Sequence, residues 1–421
     1  MEKKENKKSR FHYGFMIVIC CCAFSFTSVA LCFGCAGIFY TPVSEALGVS
    51  RGTFALSATF MSLAAGVSMP LVSRLIERYT LKRLLITDLI LQILCFAAQS
   101  QFKVVYLFYG TGLILGFVQS FMTSVLMTVV LNRWFKTKVG LFIGLSSSMT
   151  GVSGILINPL AGAFMMRFGW EKTYLLYAGI LAVIALPFAV FVFKDDPRDM
   201  EILPYGYEEA EKYRKEHEGD VVVVEGVPYQ EAIHSKAFHC VVISVMCIGV
   251  ASSFVQYIPS YASSLGFSLP FAAALAGISQ IGTLVGKNTL GVISDRNTRL
   301  AFSLGAMLAS LGLLIMFFSA GAALVIRCGA AMFGVIYAST TVMNPLLFIA
   351  VFGMRDYTRI YGRASIFTAM TGAASASLLG YLADFLGGNF TVPIILCATL
   401  CVIGCFVGNV ALTEGKKLKR L

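Results

Sequence analysis

Long apolar stretches, nearly free of charge, alternate with short polar breaks along most of the chain. At about 1.5 Å per helical residue, roughly 20 apolar residues cross a hydrocarbon layer about 30 Å thick. The pattern predicts twelve such helices. The first six run from Phe15 to Phe39, Phe54 to Leu75, Leu84 to Ala98, Val104 to Leu131, Val139 to Met166 and Tyr174 to Phe193. The second six run from Phe238 to Ser260, Phe271 to Ile293, Leu300 to Ser319, Leu324 to Phe352, Ile366 to Phe385 and Val392 to Leu412. Only residues 195–235 form a long polar segment.

Composition agrees with this pattern: 57% of residues are hydrophobic, 13% are charged, and the mean hydropathy is +0.79. A soluble single core does not need that much apolar surface. The basic tail (Lys3, Lys4, Lys7, Lys8, Arg10) leads into a first span long enough to remain as an anchor, so no cleavable signal peptide is expected. Lysines and arginines fall unevenly between the spans. The tails and alternate short loops hold 21, and the opposite loops hold five (Arg51, Lys103, Arg167, Lys172, Arg327). By the positive-inside rule both termini are cytoplasmic, which makes this a multi-pass cell-membrane protein. The net charge of +11 therefore reflects topology, and no nucleic-acid partner is expected.

The predicted architecture is an all-α membrane protein with twelve transmembrane helices in two six-helix bundles. The domains are an N-terminal bundle (residues 1–194), an acidic cytoplasmic linker (195–235) and a C-terminal bundle (236–421). The linker holds 12 acids against Arg198, Lys212, Arg214 and Lys215. It reads either as a solvated tether or as a docking segment. The twelve cysteines lie in or beside apolar spans with no metal-site neighbours, so they read as packing residues and no cofactor is expected.

The halves repeat weakly. Ser73-Arg-Leu-Ile-Glu77-Arg78 follows span two, and Gly291-Val-Ile-Ser-Asp295-Arg296 follows span eight. Met149-Thr150-Gly151 in span five is matched by Met370-Thr371-Gly372 in span eleven. Such repeats are the sequence sign of many transporters. The acid–arginine pairs resemble the cytoplasmic loop motif of the major facilitator superfamily, with Ser73 and Thr80 replacing its usual glycines. Asn132-Arg-Trp-Phe135, Gly140, Gly144, Gly151, Gly154, Pro159 and Gly169-Trp170 resemble the signature of its oxalate/formate antiporter and monocarboxylate transporter branch. Lys194-Asp-Asp-Pro197 with Leu203-Pro204-Tyr205-Gly206 is similar to the segment after the sixth helix in prokaryotic members. The resemblance implies alternating access, in which two bundles rock around one central site. Glu77, Arg78, Asp295 and Arg296 then read as conformational latches, or otherwise as solvated charges.

None of the 22 acids falls at mid-membrane: Asp88 sits near the cytoplasmic end of span three, and Asp384 near the outer end of span eleven. Lys287 stands alone in span eight, about 12 Å from the helix end at Asp295. A charge at helix centre costs roughly 2.5–3.5 kcal/mol on insertion scales and usually pairs or serves a pathway. Lys287 reads as the counter-charge of an anionic substrate, or alternatively as a snorkelling or neutral packing lysine. In the branch an arginine usually stands here, and lysine, a point charge, should hold a carboxylate less rigidly. The second lysine of oxalate exchangers has no counterpart in Phe367-Thr-Ala-Met370-Thr371. Thr283 and a lysine-free span one lack the proton-coupling arrangement of the animal monocarboxylate transporters.

Gln119 and Thr123 (span four), Gln256, Tyr257 and Tyr261 (span seven), Gln280 (span eight), and Tyr337 and Asn344 (span ten) are the neutral candidates for the rest of a polar cavity. Each can instead satisfy a helix backbone. With no paired carboxylates and no phosphate-binding loop, the chain is read as a non-enzyme. The expectation is a monomeric transporter of small monocarboxylates that works by exchange. Proton-coupled symport, with a proton carried on Lys287, is the alternative. A carboxylate sensor that does not transport is a third reading.

Overall fold

The computed structural model describes residues 12–122, 127–207, 211, 226–319 and 321–418. Helix dominates, and the extended pairings among these residues are two isolated bridges, Phe135 with Tyr205 and Gly226 with Gly353. Span one runs Gly14–Leu47, span two Arg51–Arg78 and span three Leu81–Gln99. Span four is Val105–Ser120 carried on by Met127–Trp134. Spans five and six share one helical path, Val139–Val192, folded back at Gly169. Span seven is Lys236–Ser264, span eight Leu269–Arg296 and span nine Thr298–Phe318. Spans ten, eleven and twelve are Ala323–Phe352, Tyr357–Phe385 and Thr391–Gly415.

Twelve crossings in two six-helix bundles match the predicted plan, with longer helices than hydropathy outlines. Span one continues eight residues past Phe39, and span eleven starts nine before Ile366. Both extensions are polar turns, which keep their backbone hydrogen bonds in helix but no longer register as apolar. An even number of crossings puts residues 12 and 418 on one face, called here the terminal face; the other is the far face.

Local chemistry fixes the helix ends. The Ser50, Thr80, Ser235 and Asn297 side chains accept from the backbone N–H groups of Thr53, Arg83, Phe238 and Leu300, capping spans two, three, seven and nine. Gly169 reverses the chain between spans five and six with φ 86° and ψ 168°, a conformation other residues rarely adopt. Large apolar side chains such as Val183, Phe191, Phe318 and Phe406 are 70–78% exposed, the mark of a surface that meets lipid.

Both described ends of the linker are tied down. The Tyr205 N–H donates to Trp134 O (2.9 Å) and the Lys136 N–H to Tyr205 O (2.8 Å), fastening one end beside the loop between spans four and five. The Val227 N–H donates to Phe352 O (2.8 Å), and the Tyr229 N–H to Asp356 Oδ2 (2.9 Å), fastening the other beside the loop between spans ten and eleven. Residues 208–210 and 212–225 of the linker lie outside the described residues.

Candidate functional site

Close helix packing places Lys287. Gly282 and Gly334 bring spans eight and ten together so tightly that a Cβ on either would stand 1.8 Å from a backbone oxygen of the other helix. The Thr283 hydroxyl donates to Gly334 O at 2.8 Å and fixes the register. Gln280, Thr283 and Lys287, spaced three and four apart, share one helix face. They line a cavity of about 290 Å³ between the two halves. Tyr337 and Thr341 of span ten complete its C-terminal wall. Ser25, Val29, Ala30, Phe33 and Gly34 of span one, Met127 of span four, and Ser147 and Thr150 of span five form the opposite wall.

The residues from span one all belong to a π-helical stretch, Ser25–Gly34, and Thr341 lies in a second one, Ser339–Met343. Wider turns of this kind are frequent at functional sites, where they re-aim side chains without breaking the helix, although two more, Leu181–Ala185 and Phe188–Val192, lie in span six away from the cavity. The cavity is thus one ammonium, a ring of hydroxyls with the Gln280 amide, and an apolar side made by Val29, Ala30, Phe33 and Met127. No carboxylate among the described residues lies within ion-pair distance of Lys287.

Toward the far face the halves close over this cavity. The Tyr40 hydroxyl donates to Gln256 Oε1, and Gln256 lies beside Phe33, Gly34 and Gln280, so this cross-half contact touches a cavity wall. The Thr41 hydroxyl donates to Ser260 Oγ at 2.7 Å. Further out, Arg51 meets Asp384 at 3.3 Å, and the other Asp384 oxygen accepts the Gly52 N–H at 3.1 Å. Thr53 pairs with the Tyr381 hydroxyl and Thr59 with Ser377, joining spans two and eleven. Spans five and eight also touch here, since a Cβ on Gly154 would stand 2.4 Å from Gln280 Cγ and one on Gly162 would stand 2.3 Å from the Ala273 Cβ. Toward the terminal face the same helices separate. A Cβ on Gly140, Gly144, Gly291 or Gly362 would meet nothing within 4 Å. The molecule is closed at the far face and open at the terminal face.

Of the residues singled out from sequence, Lys287, Gln280 and Tyr337 come together in the cavity, and Gln256 lies one layer toward the far face. Tyr257 is fully buried, with its hydroxyl donating to Ala376 O at 2.6 Å, and Tyr261 donates to Met316 O at 2.9 Å. Gln119 is buried inside the N-terminal half, where its amide donates to Ser28 O at 3.1 Å. Asn344 does not line the cavity. Thr123 lies outside the described residues, as do the side chains of the latch candidates Glu77 and Asp295. Of their neighbours, Arg78 is exposed near the Tyr79 ring and Arg296 is exposed. The hydroxyls Ser25, Ser147, Thr150 and Thr341 were not foreseen. Their only signal in sequence is their level in spans that face the partner half.

A family model for the Major Facilitator Superfamily matches residues 22–369. The chain belongs to the major facilitator superfamily. It is similar to relatives from bacteria and plants. The uncharacterized superfamily-type transporter YhjX of Escherichia coli (strain K12) is 21% identical over 333 residues, covering 77% of this chain and 78% of that one. The counterpart YcxA of Bacillus subtilis (strain 168) is 22% identical over 160 residues, a segment covering 38% of this chain and 39% of that one. A putative glycerol-3-phosphate transporter 5 of Arabidopsis thaliana is 25% identical, covering 73% and 68%. Among solved structures, a bacterial homolog of the human lysosomal transporter Spinster, inward-facing and unoccupied, shares the fold with a TM-score of 0.67 at 12% identity over 98% of each chain. A POT family transporter in complex with 5-aminolevulinic acid gives 0.68 at 13% identity over 96% of each chain. As a superfamily member, the chain is a multi-pass membrane transporter.

Proposed function

We propose that this transporter exchanges small monoanionic carboxylates across the cell membrane by alternating access, with Lys287 as the counter-charge of the bound anion. The observation that carries the reading is the ammonium of Lys287 in the cavity between the halves, with no carboxylate among the described residues in ion-pair distance of it. A bound monoanion neutralises that charge, whereas a dianion such as oxalate or a phosphate monoester leaves one negative charge unanswered. Gln280 and Tyr337 supply neutral donors beside the lysine and Ser147 does so from the other half, while the Thr341, Thr150 and Ser25 hydroxyls donate to Tyr337 O (2.7 Å), Ser147 O (2.9 Å) and Met127 Sδ (3.5 Å). A substrate gripped from both walls draws the bundles together and favours closure at the terminal face.

The excess of basic residues in the tails and their adjoining loops supports a cytoplasmic terminal face. With that orientation the conformation is inward-facing, the same state as the Spinster homolog that shares its fold. The motif residues Asn132-Arg-Trp-Phe135 and Gly140 to Gly154 support membership of the oxalate/formate and monocarboxylate branch. Residues 195–235 act as the cytoplasmic tether between the halves, fastened at both ends.

The test is purified protein in liposomes preloaded with formate, lactate or oxalate. Uptake of labelled lactate should require internal monocarboxylate and should vanish in Lys287→Ala. Uptake driven by a pH gradient alone, with no internal anion, replaces exchange by proton symport. Full activity of Lys287→Ala removes the site assignment.

A further inference from the structure

A second cavity, of about 420 Å³, lies inside the N-terminal half between spans two, three and four, toward the terminal face. Val72, Leu75, Leu91, Phe117 and Phe121 make its walls apolar. Asp88 lines it while only 6% exposed, and its Oδ2 has no hydrogen-bond partner. Asp88 lies seven residues into span three, about 10 Å below the helix start at Leu81. Arg83 and Tyr79, both exposed, are the other charged or titratable side chains on the lining among the described residues, and Arg83 makes no ion pair with Asp88. The cavity shares no residue with the one around Lys287.

We infer that this cavity binds a primary ammonium carried on an apolar body. Three physical constraints select that class. The cavity opens at Tyr79, Arg83 and Thr87, all exposed, and closes inward on Asp88 between walls of leucine, valine and phenylalanine, where ordered water finds few of the two to four polar partners it needs. The occupant is therefore largely apolar and of drug-like bulk, the usual content of such a pocket. Its polar end meets a buried carboxyl oxygen that no group among the described residues answers, so the fitting end carries positive charge and N–H donors. The order of charges fixes its direction: the acid lies deep and Arg83 lies at the mouth, so the ammonium enters first. An aminophospholipid has the reverse order, with its ammonium outermost and its apolar chains innermost. The ligand is thus a free amphiphilic amine. Span two forms one wall here and also carries the far-face contacts to span eleven, so an occupant touches a helix that moves during transport.

The inference stands apart from the anion-exchange reading, and its test does not use transport. Full-length protein in phosphatidylcholine nanodiscs is titrated calorimetrically with phenylbutylamine and with its uncharged isostere phenylbutanol. Phenylbutylamine should bind saturably, one to one. Loss of a charge-assisted hydrogen bond predicts binding about tenfold or more weaker for phenylbutanol, and the same loss for the amine on Asp88→Asn. Leu91→Trp, which fills the cavity from an apolar wall without touching the acid, should abolish binding of both ligands, and Lys287→Ala should leave binding unchanged. Equal affinity for amine and alcohol, or undiminished binding in both Asp88→Asn and Leu91→Trp, overturns the assignment. Competition by phosphatidylethanolamine added to the discs overturns the choice of a free amine.

Discussion

The Arg51–Asp384 pair gives the most direct handle on the conformational equilibrium, because it joins the halves only while the far face is closed. Its atoms are 3.3 Å apart, and each side chain is less than one-fifth exposed, at 18% and 19%. At an effective dielectric near 20 that separation corresponds to about 5 kcal/mol of direct attraction. Desolvation of both groups offsets much of it, and hydrogen bonds to charged groups retain a net of about 1.5–3 kcal/mol. Asp384→Asn keeps an oxygen for the Gly52 N–H and removes only the charge, so the loss is about 2 kcal/mol. Arg51 keeps the Thr41 hydroxyl at 3.2 Å and the face of Phe390 at 5.9 Å, so it is not left bare. Two kcal/mol moves the ratio of far-closed to far-open molecules about thirtyfold toward open. Spin labels at Ala46 and Leu265, exposed far-face positions in opposite halves, report the change as a longer distance in pulsed electron resonance, on a background with the exposed Cys328 replaced by serine. Arg51→Gln should give the same shift. Unchanged distance distributions in both variants would refute the argument that this pair holds the far face shut.

Other substitutions separate binding from architecture. Tyr337→Phe should weaken substrate affinity several-fold with little change in melting temperature, measured by uptake kinetics and thermal unfolding in detergent. Tyr257→Phe should do the opposite, lowering stability by about 1 kcal/mol through the lost bond to Ala376 O while affinity holds. Gly282→Ala places a methyl carbon against a backbone oxygen of span ten and should cost about 1–3 kcal/mol of stability or more, read as a lower melting temperature. Burial raises Asp195 above the usual carboxylate value, although the Lys82 N–H donates to it at 2.8 Å. The folded state then holds that proton more tightly than the unfolded one, so this residue's contribution to stability improves as pH falls from neutral toward the ordinary carboxylate range. Asp195→Asn should flatten that part of the stability profile.

Sequence made the helices legible because lipid imposes one rule, continuous apolar length, and Lys287 stood out because it breaks that rule. Its partners were only partly legible. Gln280 falls on the Lys287 face by helical spacing, but Gln119 and Tyr257 are equally polar and equally apolar in their neighbours, and they spend their hydrogen bonds on backbone carbonyls inside their own halves. Periodicity cannot separate the two uses, because it gives a face and not what that face meets. It also assumes 3.6 residues per turn, so the π-helical stretch that carries Ser25 and Val29 to the cavity left no trace in the pattern. Arg51 and Asp384 looked like ordinary charges at helix ends, 333 residues apart; only the closed far face makes them a pair.

The charge on Lys287 also decides how an empty transporter behaves. With the terminal face open, the ammonium lines a cavity that water can enter, and its cost is small. To change sides the molecule must pass through an occluded state in which that water is excluded. With an anion bound, the occluded site is neutral. Without one, it holds a lone charge at mid-membrane, worth about 2.5–3.5 kcal/mol. A barrier raised by that amount slows the empty transition about a hundredfold relative to the loaded one. Exchange between liposomes loaded on both sides should therefore exceed net efflux into anion-free buffer by about that factor, at every pH where Lys287 is charged. Equal rates of exchange and net efflux would mean that the lysine crosses without its charge, and the exchange mechanism would fall with it.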